Sequence, residues 1–289
     1  MSKRQHRNGH QSTGDQGGGL FLINGSSTIT NSTITGNSSQ QEGAGFYLNG
    51  SINANSPALL TITNSTISGN TITGAGSTGG AMFILSQATV SIISSTIASN
   101  SAPTNGGNIQ NGGAALTLKN TIVSNPASGT NCGGTITDGG GNLQFPGTTC
   151  GATITTGDPL LQALAANGGP TQTRALSTGS PALNAASGCP PPATDQRGIT
   201  RPQGSGCEIG AFECQTGECG GVGPTATPTL TNTPAGVATA TPTNTPGITA
   251  TPTRTTTPIA GVVVPTLTFP MLALLGLALM GAALLVLRK

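Results

Sequence analysis

Four copies of one short phrase organise the first half of the chain, and they constrain its fold more than any other feature. Each copy has a Thr-Ile pair followed three residues later by Asn. The copies are NSTITGN at 31–37, NSTISGN at 64–70, SSTIASN at 94–100 and KNTIVSN at 119–125. Repetition at a period of a few tens of residues is typical of proteins built from stacked, similar units. Because the phrase alternates and is rich in β-branched residues, we expect stacked strands and not stacked helices.

The repeats share an internal order of turns and strands. A Gly-rich turn opens each unit, two short apolar or alternating strands follow, and the Thr-Ile strand closes it. Three short strands per unit predict an all-β protein, a right-handed parallel β-helix (solenoid) over residues 16–127. Residues 1–15 are polar and basic and are expected to be disordered. They lack the apolar stretch of a signal peptide, so we expect a signal peptide and further repeats upstream of Met1.

Equivalent positions in the four copies predict two ladders of stacked side chains. The isoleucines of the Thr-Ile pairs are expected to point inward; they are Ile34, Ile67, Ile97 and Ile122. The asparagines that close the copies are expected to stack at one corner and to hydrogen-bond along the stack; they are Asn37, Asn70, Asn100 and Asn125. The intervening threonines are expected to face water.

Residues 128–221 differ in composition from the repeats and hold all 6 cysteines. We expect this segment to be a cap that closes the C-terminal end of the stack, because a bare last repeat exposes unpaired strand edges. An even number of grouped cysteines predicts disulfides, although sequence alone cannot choose the pairing. We favour the sequential one, which joins Cys132 to Cys150, Cys189 to Cys207 and Cys214 to Cys219. A zinc site is the rival, but the chain has no Cys-x-x-Cys motif.

The rest of the chain has the composition of a linker and an anchor. Residues 222–261 are rich in Thr-Pro pairs, which cannot pack a core and favour an extended conformation. Residues 262–289 contain an uncharged apolar stretch from Leu267 to Leu287, followed by a terminal Arg-Lys pair. That stretch is long enough to cross a bilayer as one helix, and the cations after it favour a cytoplasmic C-terminus. We therefore predict a single-pass transmembrane anchor, with the preceding domains at the cell surface.

Two long motifs in the cap, NGGPTQTRALSTGSPALNAA at 167–186 and ATDQRGITRPQGSGCEIGAFE at 193–213, are similar to a known pattern. Together they resemble the choice-of-anchor Q domain family of bacterial surface proteins, which have a pectate-lyase-like right-handed β-helix and a C-terminal anchor. Arg174, Asn184 and Glu208 stand where that pattern has His, Asp and Asp. The resemblance implies an exported β-helix protein. Because the family is defined by its architecture, the resemblance implies no catalytic residue.

A second resemblance lies at the start of the apolar stretch. The tetrapeptide VPTL at 264–267, followed by an apolar span and a basic end, resembles the IPTL-type C-terminal sorting signal. Phe269 and Pro270 stand near the place of the usual Trp-Gly. The resemblance leaves two outcomes open for this segment, which are cleavage by a sorting enzyme and retention as a membrane span.

Charged residues are scarce, and their distribution limits the chemistry of the chain. Only 6% of residues are charged, 2% are aromatic and the net charge is +2. Since no basic patch is interleaved with aromatic residues, nucleic-acid binding is not expected. Residues 43–137 contain no Asp or Glu and one basic residue, Lys119. Cleavage of a glycosidic bond needs two convergent carboxyl groups, so we predict no catalytic residue in the repeats and no cofactor or metal.

One charged cluster remains in the cap, formed by Asp195, Arg197, Arg201 and Glu208. An acid–base or carboxylate-binding site is one interpretation of it. We favour a network of ion pairs that fixes the last loop over the end of the stack, because Arg binds carboxylates through paired hydrogen bonds.

These observations predict a non-enzymatic bacterial surface protein, an adhesin that binds an extracellular polysaccharide, matrix or partner surface through its Thr, Ser and Asn side chains. Two alternatives stay open. One is a polysaccharide lyase or hydrolase whose catalytic repeats lie upstream of Met1, and the other is a structural envelope protein without a ligand.

Overall fold

Successive repeats of the chain lie side by side as parallel strands. The computed structural model describes residues 16–50, 58–190 and 192–219, together with the backbone of a strand at His6–Asn8. These residues form strands and turns without a helix, which confirms the prediction of an all-β protein. Among them, no helix is long and apolar enough to cross a membrane. The predicted linker and transmembrane anchor, residues 222–289, lie outside the described ranges.

The strands are numbered along the chain. They are β1 (His6–Asn8), β2 (Leu20–Ile23), β3 (Gly25–Thr30), β4 (Thr33–Thr35), β5 (Ser38–Ser39), β6 (Phe46–Asn49), β7 (Ala58–Thr63), β8 (Thr66–Ser68), β9 (Thr71–Ile72), β10 (Met82–Leu85), β11 (Ala88–Ile93), β12 (Thr96–Ala98), β13 (Ile109–Gly112), β14 (Ala115–Lys119), β15 (Ile122–Ser124), β16 (Cys132–Gly133), β17 (Thr137–Asp138), β18 (Leu143–Phe145), β19 (Thr155–Thr156), β20 (Leu161–Ala165) and β21 (Thr173–Leu176).

Three sheets follow one rule, in which each strand pairs in parallel with its equivalent in the next repeat. Sheet I has the order β1-β4-β8-β12-β15-β18-β19, sheet II β16-β13-β10-β6-β2, and sheet III β17-β14-β11-β7-β3. Two small sheets are added, a parallel pair of β5 and β9 and an antiparallel pair of β20 and β21. The strand β1 extends sheet I, although residues 1–15 were predicted to be disordered.

The inward-facing side chains of the three sheets form one hydrophobic core. Side chains alternate between the two faces of a strand. In β7, Ala58, Leu60 and Ile62 are buried, whereas Leu59 is 43% exposed. The core draws on all three sheets, with Ile67 and Ile97 from sheet I, Phe46 and Met82 from sheet II, and Ile62 and Ile92 from sheet III. Burial of each large aliphatic side chain contributes roughly 1.5–3 kcal/mol, so this core is the main source of stability.

Each repeat turns from sheet III into sheet I at a residue with left-handed backbone conformation. These corner residues are Asn31, Asn64, Ser94 and Asn120, with φ of 51°, 47°, 46° and 49°. Among residues with a side chain, Asn tolerates this conformation best, because its short polar group bonds locally. Asn therefore suits this corner, which it occupies in three of the four repeats, and Ser94 takes the same conformation in the third.

The fourth repeat is shifted by one residue relative to the alignment on Thr-Ile pairs. Ile67 pairs with both Ile34 and Ile97, but Ile97 pairs with Val123. Ile122 pairs instead with Thr96. The inward ladder residue is the third after each corner, and after Asn120 that residue is Val123. The prediction that Ile122 points into this core was therefore wrong.

The side chain of Ile122 lies on the opposite face of sheet I, where a second hydrophobic cluster forms. It packs there with Leu143, Leu176, Ala182 and Ile209. These partners come from the chain after the repeats, so the outer face of sheet I is covered at this point.

A ladder of buried asparagine amides runs along the stack. Asn37 Nδ2 donates to Asn70 Oδ1, and Asn70 Nδ2 donates to Asn100 Oδ1, both over 2.8 Å. The ladder then continues into Asn108 and Asn131, over 2.9 Å at each step. All five side chains are 0–1% exposed. The ladder therefore supplies partners for amides that the core would otherwise leave unsatisfied.

Asn125 is not part of this ladder, and its prediction as a member was wrong. The shift of the fourth repeat places it at a left-handed turn (φ 45°), equivalent to Ser99 (φ 58°) and Gly69 (φ 69°). Asn108, which directly precedes β13, takes the place predicted for Asn125.

Candidate functional site

The outer face of sheet I is covered by the last part of the described chain, residues 160–219, which we call the C-terminal segment. Three threonine hydroxyls of the repeats are hydrogen-bonded to it, those of Thr33, Thr66 and Thr96. Their residues are 0%, 0% and 1% exposed. The prediction that these threonines face water was therefore wrong, and they are not available to an external ligand.

Gln196 is the central contact between the C-terminal segment and the repeats. Its Nε2 donates to Thr33 Oγ1 and to Thr171 Oγ1, both over 2.9 Å, and its Oε1 accepts from Thr66 Oγ1 over 2.6 Å. The residue is 1% exposed. Sequence reasoning missed it, because an uncharged residue in a loop gives no periodic or motif signal.

Further hydrogen bonds spread along the same face of sheet I. Asn64 Nδ2 donates to Thr194 O over 2.6 Å, and Ser187 N donates to Asn120 Oδ1 over 2.7 Å. Arg174, which stands where the family pattern has His, donates from Nε to Ser68 Oγ over 2.9 Å. The C-terminal segment thus runs along the repeats.

The predicted cap, residues 128–221, has two parts in the structure. Its first part holds Cys150 and Ile154, which join the main core at the end of the stack. The C-terminal segment lies along sheet I because its backbone and side-chain groups satisfy the threonine hydroxyls and corner asparagines of that face.

Asp195 is the centre of the charged cluster. It is 0% exposed, and its carboxylate accepts hydrogen bonds from the backbone N–H groups of Arg197, Ile199 and Glu213 at 2.8–2.9 Å. Its Oδ2 also accepts from Arg197 Nε over 2.9 Å. Four donors on one buried carboxylate hold together two stretches of loop, residues 195–199 and the chain around Glu213.

The two arginines of the cluster bind different carboxylates. Arg197 reaches Glu218 over 3.2 Å, and its guanidinium carbon lies 3.7 Å from the ring centroid of Phe212, a cation–π contact. Arg201 Nη1 donates to Glu213 Oε2 over 2.7 Å, and both its side chain and that of Glu213 are almost fully buried. Of the four predicted residues, Asp195, Arg197 and Arg201 therefore form ion pairs.

The fourth predicted residue, Glu208, makes no ion pair with an arginine in the described part of the chain. Its carboxyl accepts from Cys214 N over 3.0 Å and from Asn184 N over 3.3 Å. Glu213, which was not predicted, forms the ion pair with an arginine that was expected of Glu208. Burial first, and a hydrogen bond with Glu213 second, raise the pKa of Glu208 to about 7.

The raised pKa of Glu208 makes stability depend on pH. The folded protein binds this proton more tightly than the unfolded chain, whose glutamates ionise near pH 4.5. The contribution of Glu208 is therefore complete below pH 4.5 and is lost as pH rises to about 7. We expect the free energy of unfolding to fall by roughly 2–3 kcal/mol across this window. Urea unfolding at several pH values measures it.

The matched variants for this test are Glu208→Gln and Glu42→Gln. The first cannot ionise and is expected to flatten the decline, whereas the second, at a half-buried position in the repeats, is expected to preserve it. A decline of equal size in E208Q and in the parent protein would assign the pH dependence to another group.

Three disulfides reinforce this half of the protein, joining Cys132 to Cys150, Cys189 to Cys207 and Cys214 to Cys219. The pairing is sequential. The first disulfide belongs to the closed end of the main core, and the other two lie in the C-terminal segment. Among the described residues, no group of three or more His, Cys, Asp and Glu side chains is arranged to hold a metal ion.

The charged cluster has the geometry of a buried ion-pair network that fixes loops in place. Asp195 and Glu213 are 0% exposed and Glu208 is 3% exposed. The guanidinium of Arg201 also donates to the main-chain carbonyls of Glu208 and Gly210, over 2.9 and 2.7 Å. The charged side chains of the cluster are thus bound to backbone groups of the C-terminal segment itself. They fix its loops in the conformation that lies on sheet I.

The outer face of sheet III presents a column of hydroxyl groups. Residues at one register position of five adjacent strands carry it, and they are Thr28, Thr61, Ser91, Thr117 and Thr137. The two end residues are exposed and the three inner ones are half-buried. Adjacent strands are about 4.8 Å apart, so the column is roughly 19 Å long.

The outer face of sheet II carries a row of stacked aromatic rings. The ring centroids of Phe21 and Tyr47 are 5.1 Å apart and those of Tyr47 and Phe83 are 5.6 Å apart, with 5° between the planes of each pair. Phe21 is the outermost member, and it is 47% exposed.

Comparison with known proteins gives this chain no relative: no model of a protein family, no curated protein and no solved structure matches it.

Proposed function

We propose that the described residues form a parallel β-helix of the choice-of-anchor type, and that the protein is a non-enzymatic adhesin that binds extracellular polysaccharide. Support for the β-helix comes from three parallel sheets that share one core and repeat in the same order. In this proposal residues 222–261 form a linker, and the stretch from Leu267 to Leu287 anchors the protein in the bacterial membrane with its C-terminus in the cytoplasm.

The hydroxyl column of sheet III is the observation that carries the binding proposal. Sheet I is covered by the C-terminal segment, and sheet II presents aromatic rings whose faces stack on one another. Sheet III presents regularly spaced hydroxyls at a constant register. Hydroxyl groups both donate and accept hydrogen bonds, so a column of them matches the repeating hydroxyls of an extended glycan.

The repeats also lack the groups that polysaccharide cleavage requires. Residues 43–137 contain no Asp or Glu, and hydrolysis needs two carboxyl groups that flank the scissile bond. Three carboxylates of the C-terminal segment, those of Asp195, Glu208 and Glu213, are buried and bound to backbone N–H groups or arginines, and the fourth, Glu218, is paired with Arg197. These features favour binding without cleavage.

The test uses the full chain in mild detergent, run through native gels that contain a panel of soluble polysaccharides. We expect retardation by at least one polysaccharide and no depolymerisation. The double variant Thr61→Val with Thr117→Val removes two hydroxyls at nearly constant volume, and it is expected to weaken binding about tenfold, since each hydrogen bond contributes about 0.5–1.5 kcal/mol.

The matched control is Thr153→Val with Thr155→Val, which removes two exposed hydroxyls away from the column. It is expected to bind like the parent protein. Equal retardation of both double variants would exclude sheet III as the binding face. Depolymerisation would contradict the non-enzymatic proposal, and a complete lack of retardation across the panel would favour a structural envelope protein.

A further inference from the structure

The Lys and Arg side chains of the described ranges divide into two pairs by their partners. Arg197 and Arg201 form the ion pairs of the charged cluster. Lys119 and Arg174 have no carboxylate partner among the described residues. Arg174 differs from Lys119 because two hydrogen bonds hold its head group in a fixed position. It is therefore a positioned cation without an anion.

Arg174 lies in the middle of the strand stack. It belongs to β21, and its Nε donates to Ser68 Oγ over 2.9 Å. Ser68 ends β8, which is paired with β4 on one side and with β12 on the other. Nη1 of Arg174 donates to the main-chain carbonyl of Gln162, in β20, over 3.2 Å. The guanidinium is thus positioned by described residues and not by an end of the stack.

The fork of the Arg174 guanidinium is open to a ligand. Arginine has five N–H donors, and the bonds to Ser68 and Gln162 use one on Nε and one on Nη1. Nη2 has no hydrogen-bond partner in the described part of the chain, and it is not sealed from solvent. Nη1 and Nη2 together form the fork that binds a carboxylate through two parallel hydrogen bonds.

The electrostatics of Arg174 favour an anion at this fork. Burial lowers the pKa of Arg174, and no neighbouring carboxylate offsets the effect. At Arg201 burial also lowers the pKa, but Glu213 and Asp195 act in the opposite direction. A half-buried charge without a partner lowers stability, because it has lost part of its hydration. An anion bound at the fork offsets this cost.

Hydroxyl groups lie close to Arg174 on the margin of sheet I. Thr35 is the register partner of Ser68 in β4, about 4.8 Å away, and it is half-buried. Thr71 is exposed and follows Ser68 by three residues, a stretch of chain that spans at most about 11 Å. It belongs to a row of aligned residues on successive repeats, which we call the corner row: Ser38, Thr71, Ser101 and Ser128.

We propose that Arg174 and the corner row form a binding site for an acidic polysaccharide, in which the guanidinium fork pairs with the carboxylate of a uronic acid residue. Hydroxyls at the strand spacing match the hydroxyls of the sugar, and the single guanidinium matches its single negative charge. A nucleic acid presents a phosphate at every nucleotide and is bound through several cations, so it does not suit this site.

The site extends the proposed adhesin function, on which it rests for a polysaccharide ligand. It uses other residues than the hydroxyl column of sheet III. Arg174 is expected to set the preference for an acidic polymer over a neutral one, whereas the column of sheet III is expected to bind both. The two proposals can therefore be tested separately.

The experiment measures the affinity of the full chain, in mild detergent, for alginate, hyaluronan and xanthan by biolayer interferometry. Each polymer is compared with the same polymer after its carboxylates have been reduced to alcohols. We expect at least one of the three to bind roughly 10- to 100-fold more tightly in its acidic form, which is the gain expected of one bidentate pair between charged groups.

Arg174→Gln is expected to abolish this preference, so that the acidic and reduced polymers bind equally. Lys119→Gln is the matched control, because it makes the same change in net charge and is expected to keep the preference of the parent protein. Arg174→Lys retains the charge without the fork, and it is expected to lose part of the preference even if R174Q is unstable. Far-UV circular dichroism and urea unfolding establish that each variant is folded.

The double variant Thr61→Val with Thr117→Val separates the two proposals. It is expected to weaken both forms of the polymer to the same extent and to keep the acidic preference. If it left both affinities unchanged while R174Q abolished the preference, the column of sheet III would be excluded and the site at Arg174 would stand.

Three outcomes would overturn the site at Arg174. Equal binding of acidic and reduced polymers by the parent protein would contradict it and leave the adhesin proposal intact. A preference that R174Q and R174K both keep, or that K119Q loses to the same extent as R174Q, would show that Arg174 does not carry it. Lack of binding to all three acidic polymers would also contradict the proposal.

Discussion

Asn70→Asp is expected to lower the free energy of unfolding by about 3 kcal/mol or more at neutral pH. Asn70 is 0% exposed, and its Nδ2 donates to Asn100 Oδ1 over 2.8 Å and to Ile34 O over 3.0 Å. Aspartate has nearly the same shape but no N–H to donate. The variant therefore removes one donor from each of two buried oxygens and places a carboxylate beside Asn100 Oδ1, which keeps only the backbone N–H of residue 70. Urea unfolding measures the loss.

Asn125→Asp is the matched control, because it makes the same chemical change outside the amide ladder. Asn125 is half-buried at a left-handed turn, a conformation that Asp also tolerates. We expect a change within about 0.5 kcal/mol. If N125D destabilised the protein as much as N70D, the ladder would follow the alignment of the sequence phrases and not the register found in the structure.

Asp195→Asn is expected to destabilise the protein by about 3–5 kcal/mol and to loosen the C-terminal segment. The buried carboxylate accepts four hydrogen bonds, three of them from backbone N–H groups. An amide at this position directs N–H groups of its own at those donors and leaves the guanidinium of Arg197 without its nearest carboxylate. Urea unfolding measures stability, and limited proteolysis followed by mass spectrometry locates the loosened region.

Asp158→Asn is the control for this prediction. Asp158 is exposed, and its Oδ1 accepts one hydrogen bond, from Leu160 N over 2.9 Å. An amide oxygen can accept that bond equally well, so stability and protease resistance are expected to stay unchanged. A D195N protein as stable and as resistant to protease as D158N would show that the charged cluster does not hold the C-terminal segment in place.

The strand architecture of the repeats was predictable from the sequence, because it depends on local patterns. Alternation with a period of two, bounded by Gly and Asn, predicts short strands and turns, and the recurrence of the pattern predicts equivalent strands in successive repeats. The parallel pairing of Ile34 with Ile67 and of Ile67 with Ile97 follows from the most similar copies of the phrase.

The register of the fourth repeat was mispredicted because the alignment used the wrong landmark. The Thr-Ile pair is the most visible part of the phrase, but the backbone is fixed by the corner residue, which is Asn31, Asn64, Ser94 and Asn120 in turn. Alignment on the corner gives Val123 as the ladder residue and removes both errors, at Ile122 and at Asn125. The conformational demand of a left-handed corner is a stronger constraint than the identity of the residues that follow it.

The covering of sheet I was not predictable from the sequence of the repeats. A threonine that alternates with inward-facing residues has the same pattern whether its hydroxyl bonds to water or to another part of the chain. The partners of these threonines are separated from them by 115 to 139 residues, as in the contact of Thr66 with Gln196. The charged cluster was recognisable from its residue types, but the carboxylate that pairs with each arginine depends on loop geometry. Arg201 therefore pairs with Glu213, whereas Glu208 was the predicted member.

The course of the C-terminal segment along sheet I has a consequence for how the protein unfolds. In a simple repeat array each unit contacts only its neighbours, so units can detach one at a time from either end. Here Thr33, Thr66 and Thr96, from three successive copies, share partners in one later segment. Fraying of the first repeat therefore disturbs the segment that also contacts the second and third, which favours a single cooperative transition. Sheet I is likewise completed only after residues 160–219 have been synthesised, because they supply its outer layer.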